Sequence, residues 1–313
     1  MSVDAARTLL ARHFAPTPLV HAPSLRGPNR DVYLKVETGL PTGSFKVRGA
    51  LYSLSVNAAR RPIAEVIAAS TGNHGAAVAW AATLVDIRAT IFLPANPNPV
   101  KARRIRDLGA RIVEQGQDLN AAIDAAYEYA ARSSAFFLHD ATDADIPFGA
   151  GTIGVEIVEQ LPQVDIIYVP MGDTALIRGV AAAVKARKPS VAILGVVAER
   201  APAYCLSWRA NAAIETATAD TIADGLAVRR ALAPNVAAIR ALVDDVRMVG
   251  EAELRSAIEW LMTKEDVIAE PAGAAAAAAL MKDPRAAGQA VLLVTGGNLA
   301  PSTQLRMKNS SNS

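Results

Sequence analysis

The sequence predicts an α/β fold of parallel sheets flanked by helices. Two observations carry that expectation. Short apolar runs alternate with longer helical patterns from end to end, and many of the runs are apolar on both faces, as strands covered on both sides must be. A third observation is scale: 313 residues, 51% of them hydrophobic, can bury a large core in one large domain or two.

Taken in order, the strand-like runs are VYLKVE (32–37), EVIAAS (65–70), ATIFLP (89–94), ARIVEQ (110–115), AFFLHD (135–140), DIIYVP (165–170), VAILGVVA (191–198) and AVLLVTGG (290–297). Each is short, as strands in such sheets are. Between them lie helical patterns, GAAVAWAATLV (75–85), NAAIDAAYEYAARSS (120–134), ALIRGVAAAVKARK (175–188) and EAELRSAIEWLMTKE (251–265). The alanine run from Ala274 to Ala279 reads as a tightly packed helix, and the polar end KNSSNS reads as disordered.

Bulk composition removes several function classes. Net charge is +2 with Lys and Arg scattered, which argues against a nucleic-acid surface. The lone Cys205 leaves no internal disulfide framework, and a buried, inert thiol in a reducing compartment is expected. No stretch reaches the roughly 20 apolar residues a membrane span needs, and MSVDAARTLLARHF lacks a signal-peptide core. A soluble, cytoplasmic protein is the expectation. The four histidines, His13, His21, His74 and His139, have no metal-ligand spacing.

Parallel sheets place ligands at the carboxyl ends of their strands, so the following loops are where chemistry belongs. STGNHG (70–75) has glycines that leave backbone N–H groups open and Ser, Thr and Asn side chains beside them, which suits an anion or an ordinary N-cap. MGDTAL (171–176) repeats that design, with capping by Asp173 the simpler alternative. GAGTIG (149–154) matches the dinucleotide fingerprint, but no strand runs straight into it, which argues against that use. In PTGSFKVRGA (41–50), Lys46 sits on a glycine-punctuated turn beside Phe45, read as a solvated lysine or as a partly desolvated amine nucleophile. A P-loop reading fails, because Lys46 does not directly follow a glycine.

Together these motifs, with TPL (17–19), KVETGLPTGSFKVRGA (35–50), LPANPNPVK (93–101), LGARIV (108–113), GAGTIGVEI (149–157), ADGLAV (223–228), EPAGA (270–274) and TGGN (295–298), resemble the fold-type II pyridoxal-phosphate enzymes, specifically the serine/threonine dehydratase and serine racemase group. The resemblance covers nearly the whole chain. It implies two open twisted-sheet α/β domains, tryptophan synthase β-like, with pyridoxal 5'-phosphate in the cleft between them: a large domain formed by 1–50 and 146–313, and a small mobile domain at 51–145 that closes over the substrate.

The same resemblance implies roles at matching positions. Lys46 would hold pyridoxal phosphate as a Schiff base and act as base on the substrate Cα. Phe45 would pack at the ring, Asn73 would bond its phenolic oxygen, and Gly225 and Glu270 would line the ring pocket. Gly172, Asp173, Thr174, Ala175 and Leu176 would bind the phosphate, and Thr295 would face the pyridine nitrogen. Ser70, Thr71, Gly72, Asn73 and His74 would hold the substrate carboxylate. A neutral hydroxyl at the pyridine nitrogen makes the ring a weaker electron sink, which favours prompt loss of a β-leaving group. The implied activity is conversion of L-threonine, L-serine or a related β-hydroxy amino acid to a 2-oxo acid and ammonia, by a homodimer.

Three departures from the family pattern qualify this. The phosphate loop reads Gly-Asp-Thr-Ala where relatives carry a run of glycines, which places Asp173 near the phosphate. The positions matching the family's divalent-cation site are Val197 and roughly Ala203, with Glu199 the nearby acid, so no magnesium site of that kind is expected. Thr71 stands where serine racemases place a serine to reprotonate Cα, so a racemase or β-replacement enzyme is the alternative activity, and a non-catalytic binding protein the remote one. Feedback by isoleucine through a further regulatory domain is not expected.

Overall fold

A computed structural model of the chain describes residues 1–70, 72–97, 99–283 and 287–299; Thr71 and the KNSSNS end lie outside these. In chain order the elements are α1 (Val3–Leu10), β1 (Leu19–His21), β2 (Arg30–Val36), α2 (Lys46–Arg60), β3 (Glu65–Ala69), α3 (Asn73–Leu84), β4 (Arg88–Leu93), α4 (Pro99–Asp107), β5 (Arg111–Glu114), α5 (Leu119–Ser133) and β6 (Phe136–Phe137). They continue with α6 (Ile146–Gln160), β7 (Ile166–Pro170), α7 (Ala175–Arg187), β8 (Ala192–Ala198), α8 (Ala203–Ala210), α9 (Ala233–Leu242), β9 (Asp245–Val249), α10 (Glu251–Lys264), α11 (Pro271–Met281) and β10 (Gly288–Val294).

The chain divides into two compact units. One holds Met1–Phe14 and Leu40–Ala150, the other Ala15–Gly39 and the residues from Gly151 onward. The first unit carries a wholly parallel four-stranded sheet in the order β5-β4-β3-β6. The second carries a six-stranded sheet in the order β1-β2-β10-β7-β8-β9, parallel except for β1. Each of the eight apolar runs contains a strand. Periodicity does not foreshadow β1 or β9, and both are edge strands: three mostly exposed residues in β1, and in β9 the polar-interrupted DVRMV. An edge strand is covered on fewer sides and needs less apolar sequence. AFFLHD yields only the two residues of β6, although Leu138 N–H still bonds to Ile67 O beyond its end.

Burial explains the composition. In β8 every residue after Ala192 is buried, and in β10 the last five are. Helix α11 is buried from Ala272 through Leu280 and packs against β7, β8, β9, β10 and α10. Alanine gives that helix high propensity and lets its backbone approach the sheet closely. In the first unit, Glu65 of β3 accepts hydrogen bonds from Thr90 of β4 (2.6 Å) and from the Tyr129 hydroxyl of α5 (2.9 Å), fixing the helix over the sheet.

GAGTIG lies inside α6, not at a strand-to-helix turn. Its glycines serve close packing instead. A Cβ on Gly149 would meet the Arg48 carbonyl oxygen of α2 at 2.3 Å, and one on Gly154 would meet the Val180 carbonyl oxygen of α7 at 2.8 Å.

Candidate active site

In the first unit, the turn before α2 is a short 3-10 segment, Pro41–Gly43, in which Thr42 and Gly43 both take left-handed backbone (φ 63° each). This turn packs against α3 and delivers Lys46 as the first residue of α2. Lys46 Nζ lies 5.4 Å from the centre of the Phe45 ring and donates to Asp140 Oδ2 at 2.6 Å. Ser44, two residues earlier, is fully buried with a hydroxyl that has no hydrogen-bond partner.

The STGNHG loop leads from β3 into α3. Gly72 is the N-cap, and a glycine has no side chain with which to cap the helix. Ser70 Oγ instead accepts from Gly72 N–H at 3.2 Å. Asn73 opens the helix. His74 is buried, and its Nε2 lies 2.8 Å from Leu138 O. A carbonyl can only accept, so Nε2 carries the proton. Burial pushes the His74 imidazole below its ordinary range, and Lys46 adds to that, while Asp140 opposes it. His74 is therefore neutral near pH 7, and its side chain is committed to Leu138.

Sequence reasoning misses Asp140, which reads there as the end of a strand. It lies three residues past β6, at the carboxyl end of a parallel sheet, where ligand-facing groups are expected. Burial alone would raise its carboxyl, but Lys46, His74 and His139, together with the Lys46 hydrogen bond, hold it well below the usual carboxylate range.

In the second unit, β7 runs into Met171–Thr174 and then α7. Thr174 is the N-cap, with left-handed backbone (φ 70°) and no side-chain capping bond. The Asp173 carbonyl accepts from Asn235 Nδ2 at 3.4 Å, and its carboxylate acts on buried Tyr204 alongside Arg178. The Thr174 hydroxyl is buried and has no hydrogen-bond partner. Ala175 and Leu176 form the buried first turn.

Three further loops of this unit converge there. A Cβ on Gly172 would meet the Gly225 carbonyl oxygen at 2.4 Å, and one on Gly225 would meet Ala272 Cβ at 3.0 Å. Glu270 N–H bonds to Gly296 O at 3.0 Å. Gly172–Leu176, Gly225, Glu270 and Thr295 are thus neighbouring loops of one unit, with Glu270 and Thr295 both buried. In the first unit Phe45, Lys46, Ser70, Gly72, Asn73 and His74 form a second group.

In the second unit, an orphaned, buried hydroxyl at a helix N-terminus suits an anion such as a phosphate. In the first unit, Lys46 is a half-buried amine of the kind that can bond covalently to an aldehyde. Residues 10–296 match the family described as pyridoxal-phosphate dependent enzyme. The chain belongs to that family. Its cofactor is pyridoxal phosphate. An L-threonine ammonia-lyase of Thermotoga maritima is 36% identical over 270 residues, covering 86% of this chain and 67% of that protein. The catabolic L-threonine dehydratase TdcB of Escherichia coli K12 is 32% identical over 86% of this chain and 83% of its own length. Among solved structures, maize serine racemase superposes with a TM-score of 0.92 at 28% identity, covering 99% of this chain and 96% of that one. The processed form of threonine deaminase isoform 2 from Solanum lycopersicum gives 0.88 at 27%, covering 99% and 89%.

Proposed function

We propose that this pyridoxal-phosphate enzyme is a dehydratase, an ammonia-lyase that converts L-threonine, L-serine or a related β-hydroxy amino acid to a 2-oxo acid and ammonia by α,β-elimination. The observation that carries this reading is Lys46, a half-buried amine at a helix start, in a chain whose threonine ammonia-lyase relative is 36% identical. When bound, pyridoxal phosphate supplies the electron sink that makes the substrate Cα–H bond acidic.

The remaining roles fall to this chain's own residues. Thr174 and the first amides of α7 hold the phosphate, with Gly172 allowing the Gly225 backbone to approach that loop. Thr295 faces the pyridine nitrogen with a neutral hydroxyl, and Gly225 and Glu270 line the ring. Ser70, Gly72, Asn73 and the α3 amides hold the substrate carboxylate, with Thr71 completing that loop. Lys46 anchors the cofactor and then takes the Cα proton; the electron pair of that bond expels the β-hydroxyl, which leaves as water after gaining a proton. The released enamine takes up water and yields the 2-oxo acid and ammonia. A cytoplasmic homodimer with a small mobile domain at 51–145 completes the reading.

A panel of β-hydroxy amino acids assayed for 2-oxo acid and, by chiral chromatography, for inverted substrate tests this. The expected result is 2-oxo acid from L-threonine or L-serine with little inversion. Inversion without 2-oxo acid would assign the chain to racemisation instead, and neither product from any β-hydroxy amino acid would overturn the elimination reading.

A further inference from the structure

The Lys46–Asp140 pair is a part of the first unit's site that the matching motifs leave unexplained. The two side chains are 21% and 18% exposed and meet at 2.6 Å. The other charged or titratable groups acting on the carboxylate are His74, from α3, and the adjacent His139. His74 spends its Nε2 proton on Leu138 O. His139 Nδ1 lies 3.9 Å from Asp140 Oδ1 but accepts the Ala141 N–H at 3.1 Å, so that nitrogen carries no proton to share. Lys46 is left as the hydrogen-bonded cation of Asp140.

We propose that Asp140 is the positioning residue of Lys46. Its carboxylate accepts one amine N–H, which fixes rotation about the Cε–Nζ bond and aims the nitrogen lone pair. When the amine takes the Cα proton, a C–H bond breaks, an N–H bond forms, and the electron pair stays with the substrate. Asp140 gains no proton; it stabilises the ammonium that forms, as a carboxylate does when it orients a general base. This inference rests on the elimination reading for the role of Lys46 as a base, but not for the pairing itself.

Two readouts test it on the full-length chain and on Asp140→Asn and Asp140→Glu. The first is acylation of Lys46 at one neutral pH, in protein freed of cofactor, followed by peptide mass spectrometry with exposed Lys264 as internal standard. The hydrogen bond to Asp140 Oδ2 holds the amine and must break before it attacks the reagent, so Asp140→Asn should label several-fold faster at Lys46 relative to Lys264, and Asp140→Glu close to the parent rate. The second is turnover of substrate deuterated at Cα. Asp140→Asn should lower kcat more than it changes KM and enlarge the isotope effect, with recovery in Asp140→Glu. Unchanged Lys46 labelling with an unchanged isotope effect in a folded Asp140→Asn would overturn the proposal; Asp140→Ser gives the same readouts should the amide variant fail to fold. If the parent chain turns over no β-hydroxy amino acid, the elimination reading fails, and the labelling alone decides the role of Asp140.

Discussion

Thr174 concentrates the conflict between stability and function at a single residue. A β-branched side chain in left-handed backbone is strained, and its buried hydroxyl is unpaired within the protein. On the proposed reading, a phosphate bound at this loop would give the hydroxyl its partner. Thr174→Val keeps the shape and removes the hydroxyl, so equilibrium dialysis should show pyridoxal phosphate binding about tenfold weaker, the value of roughly 1.5 kcal/mol for a hydrogen bond to a charged group. Thr174→Gly should stabilise the cofactor-free chain by about 1 kcal/mol in urea unfolding while also weakening cofactor binding. Lys46 and Thr174 drew attention in the sequence, because both stand on loops rich in glycine or hydroxyl-bearing residues. Asp140 was not, since its importance comes from a contact 94 residues away in sequence that no local pattern encodes.

At the scale of elements, the periodicity of apolar runs located eight strands and five helices, because burial on two faces leaves a plain mark on sequence. It failed where burial is one-sided, at β1 and β9, and where strand geometry ends early, at β6. The GAGTIG glycines illustrate a different limit: the pattern is real, but its cause is helix packing, which only the folded backbone reveals. Gly149→Ala should therefore destabilise the protein by about 1–3 kcal/mol, since the added methyl meets backbone of α2 rather than a side chain that can rotate away. Urea unfolding checks this, and a cost near zero would mean that α6 can shift without loss.

For the whole molecule, two buried groups contribute to the pH dependence of stability. His74 is held below its ordinary range, so the folded chain binds fewer protons than the unfolded chain below about pH 6.5, and stability falls as the pH drops through that value. Asp140, also held low, contributes stability that is present above the unfolded carboxylate value of about 3.9 and lost below it. Urea unfolding of the parent chain should weaken between pH 7 and 5, and His74→Gln, which can still donate to Leu138, should lose much less over that interval. The family and the fold were legible in motif order along the chain; what sequence could not supply was which groups touch, and hence the charge state of each. The most direct test of the central claim, that Lys46 carries the cofactor, is borohydride reduction of the protein with pyridoxal phosphate followed by peptide mass spectrometry. The predicted result is the reduced cofactor's mass on the Lys46 peptide alone; that mass on another lysine, or on none, would contradict it.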